Sequence, residues 1–249
     1  MKHRFFSDDA DDDPEERPFW QQRGWQVSAA FFAVMLVAGT VIALGGGPDA
    51  EAEPVAAAGP LSGGITLDGG RPAGCRTDDS AQSTPVRPPD DVTWQPLNGS
   101  SVPLSASAGP LRSSGPVMWC YAHTPMGAVM AAHVIPRHMS GKEWRTITDQ
   151  QVVPGVGRDI FVAMRSSLED VTPQYTASSL AGFVLMSYSP EAATVRLLIR
   201  LGPAGLGVTD YALAWSGGDW KVRPLSSGDL HTPVSPVPAA TGFVLWPVS

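Results

Sequence analysis

The stretch TDYALAWSGGDWKV, running from Thr209 to Val222, alternates apolar and polar residues, breaks at two glycines, and then resumes the alternation. Thr209, Tyr211, Leu213 and Trp215 share one face of a strand of period two, and Gly217 and Gly218 supply the positive-φ residues of a tight hairpin. Trp220 and Val222 continue the apolar side on the returning strand, opposite Lys221 and Arg223. Upstream, Val195, Leu197, Ile199 and Leu201 alternate with Arg196, Leu198 and Arg200, and Phe183 to Tyr188 is apolar and aromatic. These runs, with a turn over Gly202 to Gly207, predict an antiparallel meander with one half-buried face.

Before the meander the period becomes helical. Thr124 and Pro125 provide an N-cap and a first-turn proline, after which Met126, Val129, Met130, His133 and Val134 recur at helical spacing up to Pro136. Ser140 and Glu143 form a capping-box pattern ahead of Trp144 and Ile147, which predicts a second, short helix. Ile160, Met164 and Leu168 fall at i, i+4 and i+8 and predict a third, amphipathic one, with Phe161 widening its apolar face. Shorter apolar segments, Val92 to Leu97, Val102 to Ala106 and Pro116 to Tyr121, come first. Helices ahead of a sheet of long hairpins give an α+β order in which the helices cover one sheet face.

Far from this domain, Val27 to Leu44 contains no charge and no proline, and a helix of that length spans about 27 Å of hydrocarbon. Arg17 and Arg23 precede it and no basic residue follows until Arg71, so the basic-residue rule holds the tail, residues 1–26, in the cytoplasm and sends the C-terminal part outside. The competing reading is a cleaved secretory signal ending near Ala50 to Ala52, but such signals have a basic leader, and this one carries an acidic run from Asp8 to Glu16. The organisation expected is therefore an acidic cytoplasmic tail over 1–26, a transmembrane helix over 27–44, a disordered Gly/Pro/Ala-rich linker over 45–91, and an extracytoplasmic domain over 92–249. The linker lacks the large apolar residues that would offset the entropy of ordering it.

The chain carries a formal net charge of −7, so direct nucleic-acid binding by the folded domain is excluded as an expectation: no basic stripe is available to neutralise phosphates. The two cysteines, Cys75 and Cys120, either pair in the oxidising exterior or lie as two buried thiols. His123, His133 and His138 are close in sequence, but no i, i+4 pair or H-E-x-x-H motif accompanies them, so no metal is expected. A G-x-S-x-G elbow and a phosphate-cradling glycine loop are both missing, and no cofactor is expected. Arg196 and Arg200 point to the same side of their strand and form either a solvated charged face or a docking surface.

The hairpin Tyr211 to Val222 resembles the ending of nuclear-transport-factor-2-like (NTF2-like) domains, and Thr124 to Ala132 is similar to the first domain helix of bitopic actinobacterial proteins of conjugative elements. With a tail, one span and a linker, the layout resembles the membrane scaffold subunit of type IV secretion systems. That resemblance covers roughly Pro116 to Leu225. It implies an NTF2-like cone of N-terminal helices packed on a curved antiparallel sheet, preceded by a single transmembrane helix. It also implies a non-enzymatic homo-oligomer that contacts other membrane components of a DNA transfer apparatus. The alternative is a surface-anchored module binding a small apolar ligand. Enzymes of that fold place Asp, His or Tyr inside the cone, where Asp159, Asp210 and Tyr211 would be the candidates. Asp210 lies opposite Tyr211 and Leu213 and reads as a solvated sheet residue.

Overall fold

The computed structural model describes residues 59–62, 70–168, 178–202 and 205–247. The chain divides into two units, Met1–Pro54 and Val55–Ser249, and every described residue belongs to the second. Two hairpins come first: β1 (Thr93–Leu97) with β2 (Ser100–Leu104), and β3 (Arg112–Ser114) with β4 (Val117–Trp119). Helices α1 (Pro125–His138), α2 (Trp144–Gln151) and α3 (Val156–Ser166) follow. The sheet is built from β5 (Ser178–Ser189), β6 (Ala192–Leu201), β7 (Leu206–Ser216), β8 (Asp219–Val222), β9 (Ser235–Val237) and β10 (Val244–Leu245).

The sheet is antiparallel in the order β10-β5-β6-β7-β8, with β9 pairing the start of β7 beyond the reach of β8. Register puts Val195 opposite Tyr211, Leu197 opposite Thr209, and Trp215 opposite Trp220, so the alternation in sequence becomes one buried face. Gly217 and Gly218, at φ 65° and 80°, make the two-residue turn. Positive φ at both central positions is the backbone twist that such a hairpin requires. The free edge of β8 is closed by the chain leaving α2, where the Val153 N–H donates to the Val222 carbonyl.

Helix α1 lies between this buried face and the first hairpin, touching β2 on one side and β5 to β8 on the other. Thr124 caps it, accepting the Gly127 N–H at 3.1 Å, with Pro125 in the first turn. Pro136 sits inside the last turn and does not end the helix. Small residues dominate its middle, and Ala128, Val129, Ala131, Ala132, Val134 and Ile135 are all fully buried. A helix covered on two sides needs this all-round burial, unlike a surface helix with one apolar stripe.

Three expectations are corrected. The architecture is not an NTF2-like cone of N-terminal helices: the domain opens with hairpins, strand residues outnumber helical ones, and the described helices number three. Only α1 spans the sheet, because α2 has eight residues and α3 buries none of its eleven. The capping box does not form either. Glu143 makes no capping bond, and the Ser140 hydroxyl turns back to donate to the Arg137 carbonyl. Finally, the described parts of the segment read as disordered linker, 59–62 and 70–91, pack on the domain: Leu61 enters the core, and the stretch from residue 70 is held by polar and covalent contacts that an apolar-residue count does not register. No described helix is long and apolar enough to cross a membrane, and the expected span over 27–44 lies outside the described residues.

Candidate functional site

Two places concentrate polar chemistry. The first is a strap, residues 70–82, laid against the β7–β8 hairpin. Cys75 and Cys120 are joined by a disulfide. Arg71 donates through Nη2 to both carboxylate oxygens of Asp79, at 2.8 and 2.6 Å, and through Nη1 to the Tyr121 carbonyl at 3.1 Å. Its guanidinium also lies 4.9 Å from the ring centre of Trp215. Burial alone would raise Asp79, but bonds from Arg71, the His123 N–H and Thr77 together hold it below the usual carboxylate range. His123 stacks on Trp215 at 3.8 Å and donates from Nε2 to the Pro190 carbonyl.

Beneath the strap, Asp219 is fully buried. Its carboxylate accepts the backbone N–H groups of Cys120 at 2.7 Å, Tyr121 at 3.0 Å and Trp220 at 2.9 Å. Burial pushes Asp219 up to about 6, and the three N–H donors and Arg71 pull against that shift. Cys120 has φ 70°, an uncommon conformation for a residue with a Cβ. The disulfide and the Asp219 bond hold it there, so the strap, β4 and the hairpin form one crosslinked corner.

The second place is a cleft of about 520 Å³ between the end of α1, helix α3 and the turn at 229–231. Phe161, Met164 and Leu168 line one wall and Leu230 the other, with Tyr211 of β7 among the lining residues. Tyr211 is buried, which pushes its phenol up to about 12, while Arg137 opposes that shift. His231 turns Nδ1 to the Thr232 carbonyl at 2.7 Å and to Thr209. Arg165 donates to the Met139 carbonyl and lies 5.0 Å from the ring centre of Trp144.

The sequence candidates are dispersed. His133 is buried in the core: Nδ1 meets the Val129 carbonyl at 2.7 Å and Nε2 meets the Trp246 indole at 2.9 Å. An indole N–H can only donate, so Nε2 carries the lone pair and Nδ1 the proton. His138 is buried, and its Nε2 has no partner among the described residues. Burial holds both histidines down at about 4. Among the described residues no group of three His, Cys, Asp or Glu side chains is arranged for a metal. Arg196 is committed to a two-pronged pair with Asp210, at 2.7 and 2.8 Å, while Arg200 is exposed near the end of β6. Asp159 is exposed in the first turn of α3, so of Asp159, Asp210 and Tyr211 only Tyr211 lines the cleft.

Residues 56–245 match the family described as Domain of unknown function (DUF8175). The chain belongs to that family. Its span takes in the strap, the crosslinked corner and every residue of the cleft. No curated protein and no solved structure matches the chain.

Sequence reasoning missed Asp219, because an aspartate beside a Gly-Gly turn reads as a solvated turn residue. It also missed Arg71 and Asp79, which sit in a stretch without apolar signal. Arg137 and Leu230 lie in separate elements, and only the tertiary fold brings them to one cleft.

Proposed function

We propose that this chain is a single-pass membrane scaffold or assembly subunit of a conjugation-type DNA transfer apparatus, acting through protein-protein contacts of an extracytoplasmic domain. The observation that carries the reading is α3: it is amphipathic, yet none of its residues is buried. Val156 is 74% exposed and Met164 42%, and just past the helix Leu168 is 63% exposed. Phe161 packs against Trp144, while the exposed Val156, Met164 and Leu168 give this segment an apolar surface available for contact. The Cys75–Cys120 crosslink is in keeping with an oxidising exterior. The transfer apparatus itself comes from the resemblance of Thr124 to Ala132 and of the overall layout, with the anchor over 27–44 as the lipid contact.

The test is made in donor cells carrying the full chain. A photo-crosslinking residue at position 156 should trap a second copy of the chain or a transfer component, and Val156→Asp should lower DNA transfer about tenfold or more. That change removes roughly 1.4 kcal/mol or more of contact energy. An aspartate at the first position of a helix is compatible with folding. Transfer at the normal frequency in cells lacking the chain would end the proposal.

A further inference from the structure

The cleft beside α3 has a polarity that the assembly reading does not use. Its walls are apolar, from Phe161, Met164, Leu168 and Leu230, and its volume of about 520 Å³ is that of a small-molecule site. Two hydrogen-bond donors line it without a partner among the described residues. Tyr211 is buried, and its hydroxyl meets no acceptor among the described residues. Arg137 is half-buried, and its guanidinium meets no carboxylate among them. Neither donor is sealed from solvent, so both are open to a ligand in the cleft, and one anionic oxygen group reaching both would accept from each. Arg137 faces the cleft, and the one carboxylate among its described lining residues, Asp229, is exposed and already accepts from Ser227.

We propose that this cleft binds a single-chain anionic amphiphile, with Arg137 and Tyr211 holding its oxyanion and Phe161, Met164, Leu168 and Leu230 holding its alkyl chain. An uncharged alkyl ligand leaves both donors unserved, and a small anion without a chain leaves the walls wet. Recognition therefore needs both ends. The headgroup is a carboxylate or a phosphate monoester, since each offers an oxygen to both donors.

The full chain in zwitterionic nanodiscs is titrated calorimetrically with octanoate, octyl phosphate, octanol and acetate, with protein-free nanodiscs as the blank. Octanoate, octyl phosphate or both should bind, and whichever binds more tightly identifies the headgroup. Octanol and acetate should bind at least about tenfold more weakly, the range of a charge-assisted hydrogen bond. Arg137→Gln should weaken the anionic ligand about tenfold or more and leave octanol unchanged, with its thermal unfolding unaltered. Met164→Glu, at an exposed position on the cleft wall, should abolish binding of the anion without unfolding the domain. Octanol binding as tightly as octanoate and octyl phosphate, an unaffected Arg137→Gln variant, or no binding by either anion overturns the proposal. The measurement needs no transfer machinery, so its failure and the failure of the assembly reading are separate results.

Discussion

Lowering the pH from 7 to 5 should destabilise the domain, and two buried histidines set the size of the loss. His133 and His138 are held at about 4 in the folded state against an ordinary 6.5. A group whose folded pKa is lowered contributes stability that is complete above its unfolded value and is lost as pH falls toward the folded one. The unfolded chain takes up protons that the folded chain refuses. At pH 5 each imidazole is about 1.5 pH units into that window, which costs about 2 kcal/mol each and about 4 kcal/mol together. Asp219 works in the opposite sense: its folded value of about 6 lies above the ordinary 3.8, so folding gains as pH drops below 6. That gain offsets about a third of the histidines' loss at pH 5, leaving a net loss of about 3 kcal/mol. Asp79 and Asp91 lie below the ordinary carboxylate value, and their contribution disappears only under about pH 4.

For a domain of this size the net loss lowers Tm by about 5 to 10 °C, readable in thermal unfolding followed by near-ultraviolet circular dichroism. The decisive variant is His138→Leu. The Nε2 of His138 has no partner among the described residues to lose, so stability at pH 7 should hold, while removing this imidazole cuts the acid loss to under about 1 kcal/mol. A wild-type Tm that is equal or higher at pH 5, or a His138→Leu variant that keeps the whole acid loss, would refute the reasoning.

Reducing the Cys75–Cys120 crosslink, which closes a separation of 45 residues, should cost about 4 kcal/mol in the loop-entropy model. Unfolding with and without reductant measures it, and identical midpoints would mean the crosslink constrains nothing. Gly218→Ala would place a Cβ 2.1 Å from the Gly70 carbonyl at φ 80°, whereas at Gly217 the nearest atom is Lys221 Nζ at 3.6 Å. Urea midpoints should therefore show Gly218→Ala losing about 2 to 3 kcal/mol and Gly217→Ala about 1 kcal/mol, and the reverse order would contradict the strap's position. Arg196→Gln breaks a pair whose side chains are 36% and 22% exposed, so the loss should stay under about 1 kcal/mol in the same assay. A larger loss would mean that the pair is structural.

The meander was legible because β7 and the first half of β6 bury one face, and burial of one face writes period two into the sequence, whereas β8 is buried on both. Val195, Leu197, Thr209, Tyr211 and Leu213 follow it, and Gly217 and Gly218 mark the turn. The start of α1 was legible for a local reason as well: Thr124 and Pro125 act within four residues. What periodicity does not carry is the partner of each face. Ile160 and Met164 marked α3, which stops short of Leu168, but not its lack of burial. The cone failed on the same ground, since the pattern in α1 does not say that a hairpin covers its second side. The strap was illegible because a disulfide, an arginine and two carboxylates hold it, and none of these appears as hydrophobicity. The cleft shares that obscurity: Arg137, Phe161, Tyr211 and Leu230 are distant in sequence.

The bond between Cys75 and Cys120 also decides how a mechanical pull travels. Tension arriving from the N-terminal side meets Leu61, buried in the core and bonded to Gln150, before Arg71 and Cys75; at Cys75 it crosses through sulfur to Cys120 and by way of Asp219 to the base of β8. The first hairpin, β1 with β2, lies on the 45-residue stretch that this shortcut bypasses. It can therefore be strained or rearranged by a neighbour while the tether stays taut against the sheet.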